Sequence, residues 1–221
     1  MTFAAQIIGF YSNLKLDIEL PEGTVVMNPF EDPVVADLTS AFYKKYFSDS
    51  QSRKIIMGIN PGRLGGGVTG IPFTDPVKLE VNCGIKNDLK KVTEPSAGFV
   101  YDVIDAFGGP AKFYKSFFIY AVSPLGFTKN GLNYNYYDSR ELEKKVTPFI
   151  VGSLDTLLKN NISTEVCYCL GNGKNYTFLV RLNREYKFFK SIVPLPHPRW
   201  IVQYRRKQYE FFIQEYLHLL K

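Results

Sequence analysis

Two short segments of the chain carry residues whose types and spacing are suited to chemistry. The first, residues 58–75, reads Gly-Ile-Asn-Pro-Gly-Arg-Leu-Gly-Gly-Gly-Val-Thr-Gly-Ile-Pro-Phe-Thr-Asp and contains six glycines. Glycine lets the backbone approach a ligand closely or adopt positive φ. The segment lacks the Gly-Lys-Ser/Thr of a Walker loop, and Pro61 and Pro72 interrupt any dinucleotide fingerprint. Taken alone, it fits a nucleotide site and a structural turn equally well.

The second segment surrounds His197, which lies between Pro196 and Pro198. Proline restricts φ, so these neighbours hold the imidazole at a defined angle. His218 is the only other histidine, and we expect it on the surface of a terminal helix. His197 is therefore the histidine that we predict to act in a site.

The positive charge of the chain is concentrated around His197. The whole chain of 221 residues carries a net charge of +6, whereas residues 171–209 contain nine basic residues and one acid and carry +8. The remainder is slightly acidic. Aromatic residues are interleaved with these charges: Tyr176, Phe178, Tyr186, Trp200 and Tyr204. Local basic charge of this kind favours contact with nucleic-acid phosphates, with a solvated helix surface as the alternative.

The few cysteines and histidines exclude several kinds of metal centre. Three cysteines cannot supply a four-cysteine iron–sulfur cluster, and the spacing of the candidate ligands does not suit structural zinc. Cys167 and Cys169 lie two apart in an apolar run, so their side chains share one strand face. We predict that these two and Cys83 are buried free thiols, as in a reducing cytoplasm.

The elements that must position the two segments alternate between strand and helix. Short apolar runs that end in loop signals predict four strands: Lys54–Ile59, Ser116–Val122, Val166–Leu170 and Ser191–Val193. Helical periodicity predicts a helix over Asp32–Phe47, a second over Ser96–Phe107 with Ser96 as N-cap, and a terminal helix from Tyr209 to Leu220. A further helix is predicted to follow a capping box at Asp138–Glu141 and to kink at Pro148.

This alternation predicts an α/β protein with a mostly parallel sheet covered on both faces. In such sheets ligands bind at the carboxyl ends of the strands, where all four loops converge. No linker or repeat divides the chain, so we expect one domain over residues 1–221. We find no signal peptide and no apolar run long enough to cross a bilayer, and we expect a cytoplasmic, nucleoid-associated protein.

The segments together resemble a known family. Gly58-Ile-Asn-Pro-Gly62, continued by Thr69-Gly-Ile-Pro-Phe73, resembles the first motif of the single-strand-selective monofunctional uracil-DNA glycosylases. His197-Pro198-Arg199 is similar to the start of their second motif, and Ser123-Pro-Leu125 to the Cys-Pro-Leu of their middle strand. The motifs occur in the family's order, and the chain looks like a bacterial offshoot of that group.

The resemblance implies a three-layer α/β/α fold with a central four-stranded parallel sheet, and cleavage of the bond between a deaminated base and deoxyribose. It implies no metal or cofactor, and a monomeric protein whose partner is damaged DNA, single- or double-stranded. The residues carried over are Asn60 and His197 for catalysis; Gly58, Ile59, Pro61, Gly62, Phe73 and Ser123 for the base pocket; and Arg63, Lys174, Arg199, Trp200, Arg205 and Arg206 for DNA contacts.

The chain departs from the family pattern in two places. The asparagine that reads the base edge falls at Ala121, with Ser123 as a possible substitute, and the second motif lacks its Ser-Pro insert. Xanthine and hypoxanthine therefore stand beside uracil as substrates. Two other functions remain open: an inactive DNA-binding module of the same fold, and a nucleotide-dependent hydrolase or transferase that uses the glycine-rich segment.

Overall fold

The computed structural model describes residues 1–220. This part of the chain contains ten α-helices and seven strands, with short 3₁₀ turns at Pro29–Glu31 and Arg206–Gln208. The helices are α1 Phe3–Ser12, α2 Pro33–Tyr46, α3 Gly66–Thr69, α4 Pro76–Val81, α5 Pro95–Ala106, α6 Pro110–Ser116, α7 Arg140–Leu158, α8 Lys174–Tyr186, α9 Pro198–Tyr204 and α10 Tyr209–Leu219. The strands are β1 Thr24–Met27, β2 Arg53–Gly58, β3 Phe117–Ala121, β4 Gly126–Lys129, β5 Leu132–Tyr134, β6 Ile162–Leu170 and β7 Ser191–Leu195.

The central sheet is parallel and has the strand order β3-β2-β6-β7. The four predicted strands are these four, so the three-layer α/β/α prediction is confirmed. Strand β6 begins at Ile162, four residues before the apolar run that predicted it. Strand β7 extends to Leu195 through Pro194, which an edge strand tolerates because one side of it has no ladder partner.

A second, antiparallel sheet has the order β1-β4-β5 and was not predicted. Its strands are three or four residues long, and side chains such as those of Val25 and Leu132 are exposed, so no apolar alternation marks them. The Asn130-Gly131 turn between β4 and β5 has positive φ at both residues. An Asn-Gly pair of this kind is a hairpin signal that the sequence contained.

Two helix starts differ from the prediction by one residue. Helix α5 begins at Pro95, which suits the first helical position because its missing N–H needs no partner there. Ser96 is therefore inside the first turn, and Glu94 is the N-cap. Helix α7 is capped by Ser139, whose hydroxyl accepts from the Leu142 N–H at 3.1 Å. Pro148 lies within this continuous helix.

The core contains the three predicted buried thiols. Cys167 and Cys169 are fully buried in β6, Cys83 is 1% exposed, and all three are free. Burial raises the pKa of each thiol above its ordinary value, so they pack as small apolar groups. His218 is exposed on α10, as expected.

A buried cation anchors the start of the central strand. Arg53 is fully buried, and its guanidinium forms a two-point contact with Asp49 at 2.5 and 2.9 Å. It also donates to the Tyr114 carbonyl and lies over the rings of Phe3 and Phe47, 4.9 and 5.2 Å from their centroids. The hydrogen bonds from Arg53 hold the pKa of Asp49 below its ordinary value.

We expect Asp49→Ala to lower the free energy of unfolding by about 2 kcal/mol, because it leaves the Arg53 charge buried without its carboxylate. The expected loss of stability is smaller than for a fully enclosed ion pair, since Asp49 is partly exposed. The Asp49 contribution is present above the pKa of an unfolded aspartate, about 3.9, and is lost as pH falls through the lower folded pKa. Urea unfolding measures it.

The matched control is Asp155→Ala, which removes a carboxylate from the exposed Lys159–Asp155 pair. That change should stay within about 0.5 kcal/mol. Equal effects of the two substitutions would contradict the anchoring role of Asp49.

Candidate active site at the carboxyl edge of the central sheet

A cleft of about 550 Å³ opens at the carboxyl ends of the parallel strands. Its walls come from the loops that follow β2, β6 and β7 and from the segment that leads into α7. Most of the residues predicted from the two sequence segments line it: Gly58, Ile59, Asn60, Pro61, Gly62, Phe73, Lys174, His197, Arg199 and Trp200. The topology therefore brings together residues that are about 140 positions apart in the chain.

Four predicted residues lie outside the cleft lining. Ser123 is fully buried, its hydroxyl donates to the Leu125 carbonyl at 2.8 Å, and its N–H donates to Ile59. Ser123 therefore does not line the cleft, and its hydroxyl holds the turn after β3. The exposed side chains of Arg63, Arg205 and Arg206 lie on the outer surface. Ala121, at the end of β3, does line the cleft.

One wall of the cleft depends on the absence of a side chain at Gly58. A Cβ there would lie 2.9 Å from Cε2 of Phe73, so only glycine lets this ring pack over the end of β2. Phe73 itself has φ of +52°, which is uncommon for a residue other than glycine. Its ring centroid lies 6.4 Å from that of His197. A strained backbone at a cleft wall is typical of functional sites.

The carboxamide of Asn60 is held in one orientation. Its Oδ1 accepts from the Tyr136 N–H at 3.2 Å, and its Nδ2 donates to the Pro61 carbonyl at 3.3 Å. The amide oxygen has a second lone pair, which these contacts leave for a ligand in the cleft.

Behind Asn60 lies a polar pair that the sequence analysis missed. Asn175 and Tyr136 are 2% and 0% exposed, and the Tyr136 hydroxyl donates to Oδ1 of Asn175 at 2.8 Å. Nδ2 of Asn175 donates to the carbonyl of Gly58 at 3.3 Å. The pair therefore links the start of α8, the end of β2 and the backbone that holds Asn60. No sequence signal marked it, because the contacts span 39 and 117 positions.

His197 serves as the N-cap of α9. Its Nδ1 accepts from the Arg199 N–H at 3.1 Å, so the neutral ring carries its proton on Nε2. Burial, with a smaller contribution from the positive charge of Arg199, lowers the pKa of His197 to about 4. The side chain is therefore a neutral hydrogen-bond donor in the cleft near pH 7.

Glu94 is a second titratable group of the cleft, and the sequence analysis missed it as well. It precedes α5 but its side chain does not cap that helix. Burial raises the pKa of Glu94 to about 7, the carboxylate of Asp75 adds to this rise, and Arg199 opposes it. Nothing in the segment Lys91-Val92-Thr93-Glu94 marks this glutamate as a site residue, because only folding removes its carboxyl group from water.

Cationic side chains surround the mouth of the cleft. The ammonium of Lys174 lies 5.9 Å from the ring centroid of Tyr137, and the guanidinium of Arg205 lies 4.6 Å from that of Trp200. Lys174, Arg205 and Trp200 are all exposed. The basic segment that the sequence predicted thus forms a charged rim with aromatic faces.

Residues 1–220 contain neither a metal-binding cluster nor a membrane-spanning helix. No group of three or more His, Cys, Asp or Glu is arranged to hold a metal ion. Within the same residues no helix is both long and apolar enough to cross a membrane.

Protonation of His197 should lower the stability of the folded protein between pH 7.5 and pH 4.5, while Glu94, whose pKa is raised, contributes in the opposite direction over the same range. The folded pKa of His197 is about 4 and the unfolded pKa about 6.5, so below 6.5 the unfolded chain binds the extra proton and is favoured. The His197 contribution is about 2 kcal/mol at pH 4.5.

His197→Asn keeps a capping side chain without this titration and is the matched control. Between pH 7.5 and pH 4.5, urea unfolding should show the wild type losing about 2 kcal/mol relative to the variant, because Glu94 contributes equally to both proteins. An equal change in stability in the two proteins would contradict the assignment.

Comparison with known proteins gives the family. The model of the uracil DNA glycosylase superfamily matches residues 44–221. Among solved structures, wild-type SMUG2 of Pedobacter heparinus is similar, with a TM-score of 0.96 and 48% sequence identity over 99% of this chain and 97% of that one. No curated protein sequence matches. A family model over most of the chain, together with this agreement in sequence and fold, establishes that the chain belongs to the uracil DNA glycosylase superfamily and is a DNA glycosylase.

Proposed function

We propose that this protein is a monofunctional glycosylase that removes uracil or another deaminated base from DNA by hydrolysis of the N-glycosidic bond. The observation that carries the proposal is the meeting of Asn60, Phe73 and the neutral donor His197 in one cleft at the carboxyl edge of the sheet. The similarity to Pedobacter heparinus SMUG2 supports it. We take the chain to act as one domain.

In this proposal the damaged base leaves the helical stack and enters the cleft. A base inside a duplex cannot be reached, so glycosylases extrude the target nucleotide. Phe73 supplies an aromatic face on which the flipped base stacks, an interaction of about 1–3 kcal/mol per base. Gly58 lets this ring form a wall of the cleft. The base is thereby oriented before any bond breaks.

His197 stabilises the leaving base. As the N-glycosidic bond breaks, negative charge develops on the base and positive charge on the sugar, as in other glycoside cleavages. The Nε2–H of a fixed neutral imidazole donates a hydrogen bond to the developing oxygen anion. A donor that is already oriented costs no reorganisation in the transition state, which is where this contact contributes most.

Asn60 positions the attacking water. An amide is not a strong base, so departure of the base precedes attack and the sugar cation draws in the water. The free lone pair of Oδ1 accepts from that water while the Tyr136 N–H holds the other side of the oxygen. No lysine replaces Asn60, so no Schiff-base step follows and the product is an intact strand with an abasic site.

The residue at position 121 bears on which bases the protein accepts. Ala121 lines the cleft where the resemblance predicted an asparagine, and alanine has no group that pairs with a base edge. Sites that lack such a buried partner discriminate less strongly between substrates. We therefore propose uracil as a substrate and include xanthine and hypoxanthine.

The cationic rim is proposed to bind the DNA backbone. Lys174, Arg199 and Trp200 are exposed residues of the cleft lining, and Arg205 lies over the ring of Trp200. Arg206, exposed next to Arg205 in the chain, is a further phosphate contact, and Trp200 fills the space left by the flipped base. Binding through such residues weakens with salt because counterions are released. Either single- or double-stranded DNA fits this surface, and we expect a monomer.

The direct test uses labelled oligonucleotides that each contain one uracil, xanthine or hypoxanthine. We expect release of at least one of these bases without metal or nucleotide, detected as strand breaks after alkali treatment. Breaks before alkali would contradict the monofunctional assignment. Intact strands with every substrate would refute the glycosylase proposal and favour a DNA-binding module.

The roles of the two principal residues are tested by single substitutions. Asn60→Ala and His197→Ala should each lower the single-turnover rate by roughly 10²–10³, because each removes a group that acts in the transition state. Binding to the same oligonucleotide, measured by fluorescence anisotropy, should survive. Wild-type rates in both variants would place the site elsewhere.

The buried pair behind Asn60 should also affect the rate. Asn175→Ala removes the amide that joins Gly58 to Tyr136, so we expect the single-turnover rate to fall roughly tenfold or more while KM changes little. The matched control is Asn183→Ala on the same helix, which breaks two hydrogen bonds to Phe189 away from the cleft. Equal rates in the two variants, after their melting temperatures are compared, would show a structural role only.

A further inference from the structure

Glu94 lines the catalytic cleft, and its carboxyl group lies against the loop that follows β2. A Cβ at Gly65 would overlap this carboxyl, and a Cβ at Gly62 would lie 3.9 Å from its Oε1. The two glycines thus leave room for the carboxyl against the loop that follows β2. Since the side chain does not cap α5, the usual explanation for an acid at this position does not apply.

The carboxyl of Glu94 has no paired cation. Within residues 1–220 no ion pair reaches it, although the cleft is surrounded by basic side chains. Its own N–H donates to Oδ2 of Asp75 at 2.8 Å, which brings a second carboxylate close to it. A partly buried acid beside another acid is disfavoured in its charged form.

Three residues near the end of the sheet cannot pair with the edge of a base. Asn175 is bound to Tyr136 and Gly58, the Ser123 hydroxyl is bound to Leu125, and the side chain of Ala121 has no hydrogen-bonding group. Glu94 lines the same cleft, and its carboxyl takes part in none of these bonds.

We propose that Glu94 binds the flipped base as a neutral carboxylic acid, with its O–H and C=O paired to a carbonyl and the adjoining N–H of the base edge. The inference rests on the proposed function and adds a residue that recognises the substrate. A carboxylic acid presents a donor beside an acceptor, as the amide of asparagine does. Uracil, xanthine and hypoxanthine each carry the complementary carbonyl and N–H.

The charged groups around Glu94 support this protonation state. Helix α4 contributes the carboxylate of its N-cap Asp75, helix α9 contributes Arg199, and the loop that follows β2 contributes backbone at Gly62 and Gly65, with its Arg63 side chain exposed. Burial and Asp75 together outweigh Arg199, so the pKa of Glu94 is raised to about 7. DNA phosphates at the rim raise it further, because they add negative charge.

The experiment measures kcat/KM for a uracil oligonucleotide from pH 6 to pH 8.5 in the wild type, Glu94→Gln and Glu94→Ala. Glutamine keeps the donor beside the acceptor but does not titrate. Glu165→Gln on the outer part of β6 is the control for loss of one negative charge. Melting temperatures of all four proteins report on folding.

We expect the wild type and Glu165→Gln to lose roughly 30-fold in kcat/KM between pH 6 and 8.5, as the acid ionises. Glu94→Gln should stay within about threefold over that range, and Glu94→Ala should be roughly tenfold slower than Glu94→Gln throughout. A wild-type pH profile in Glu94→Gln, or equal rates in the glutamine and alanine variants, would overturn the inference while the glycosylase proposal stands. No base release by the wild type at any pH would refute both.

Discussion

The catalytic cleft depends on one close contact, between the backbone of Gly58 and the ring of Phe73. Because position 58 has no Cβ, the ring rests on the end of the central strand. The carbonyl of the same glycine accepts from the Val122 N–H and from the amide of Asn175, which joins β2 to the end of β3 and the start of α8. One residue without a side chain therefore locates the aromatic wall, the strand edge and the support of Asn60.

The cleft and its rim have different electrostatic properties. Burial lowers the pKa of His197 and raises that of Glu94, so both groups are driven towards their neutral forms. The exposed lysine and arginine side chains outside remain charged. This arrangement attracts a polyanion to the surface and presents neutral hydrogen-bonding groups to the base, which are less costly to desolvate than charges.

Much of the fold was predictable because its signals are local. Each strand of the parallel sheet is a short apolar run that ends in Gly, Pro or Asn, and both catalytic segments follow such ends. The antiparallel sheet was missed because its strands are short and exposed, although the Asn130-Gly131 turn carried a readable signal. Spacing alone does not reveal that the Ser123 hydroxyl is bound to the carbonyl of Leu125 and lies outside the cleft lining.

The sequence by itself determined the order of the elements, the residue types at the two strand ends and the concentration of basic charge around His197. These follow from periodicity, from the φ restrictions of glycine and proline, and from composition, all of which are properties of neighbouring residues. Only the tertiary structure decided that Glu94 loses its water, that burial lowers the pKa of His197, and that Asn175 and Tyr136 hold Asn60. Protonation and hydrogen-bond partners depend on burial and on groups distant in the chain, so they exist only once the chain is folded.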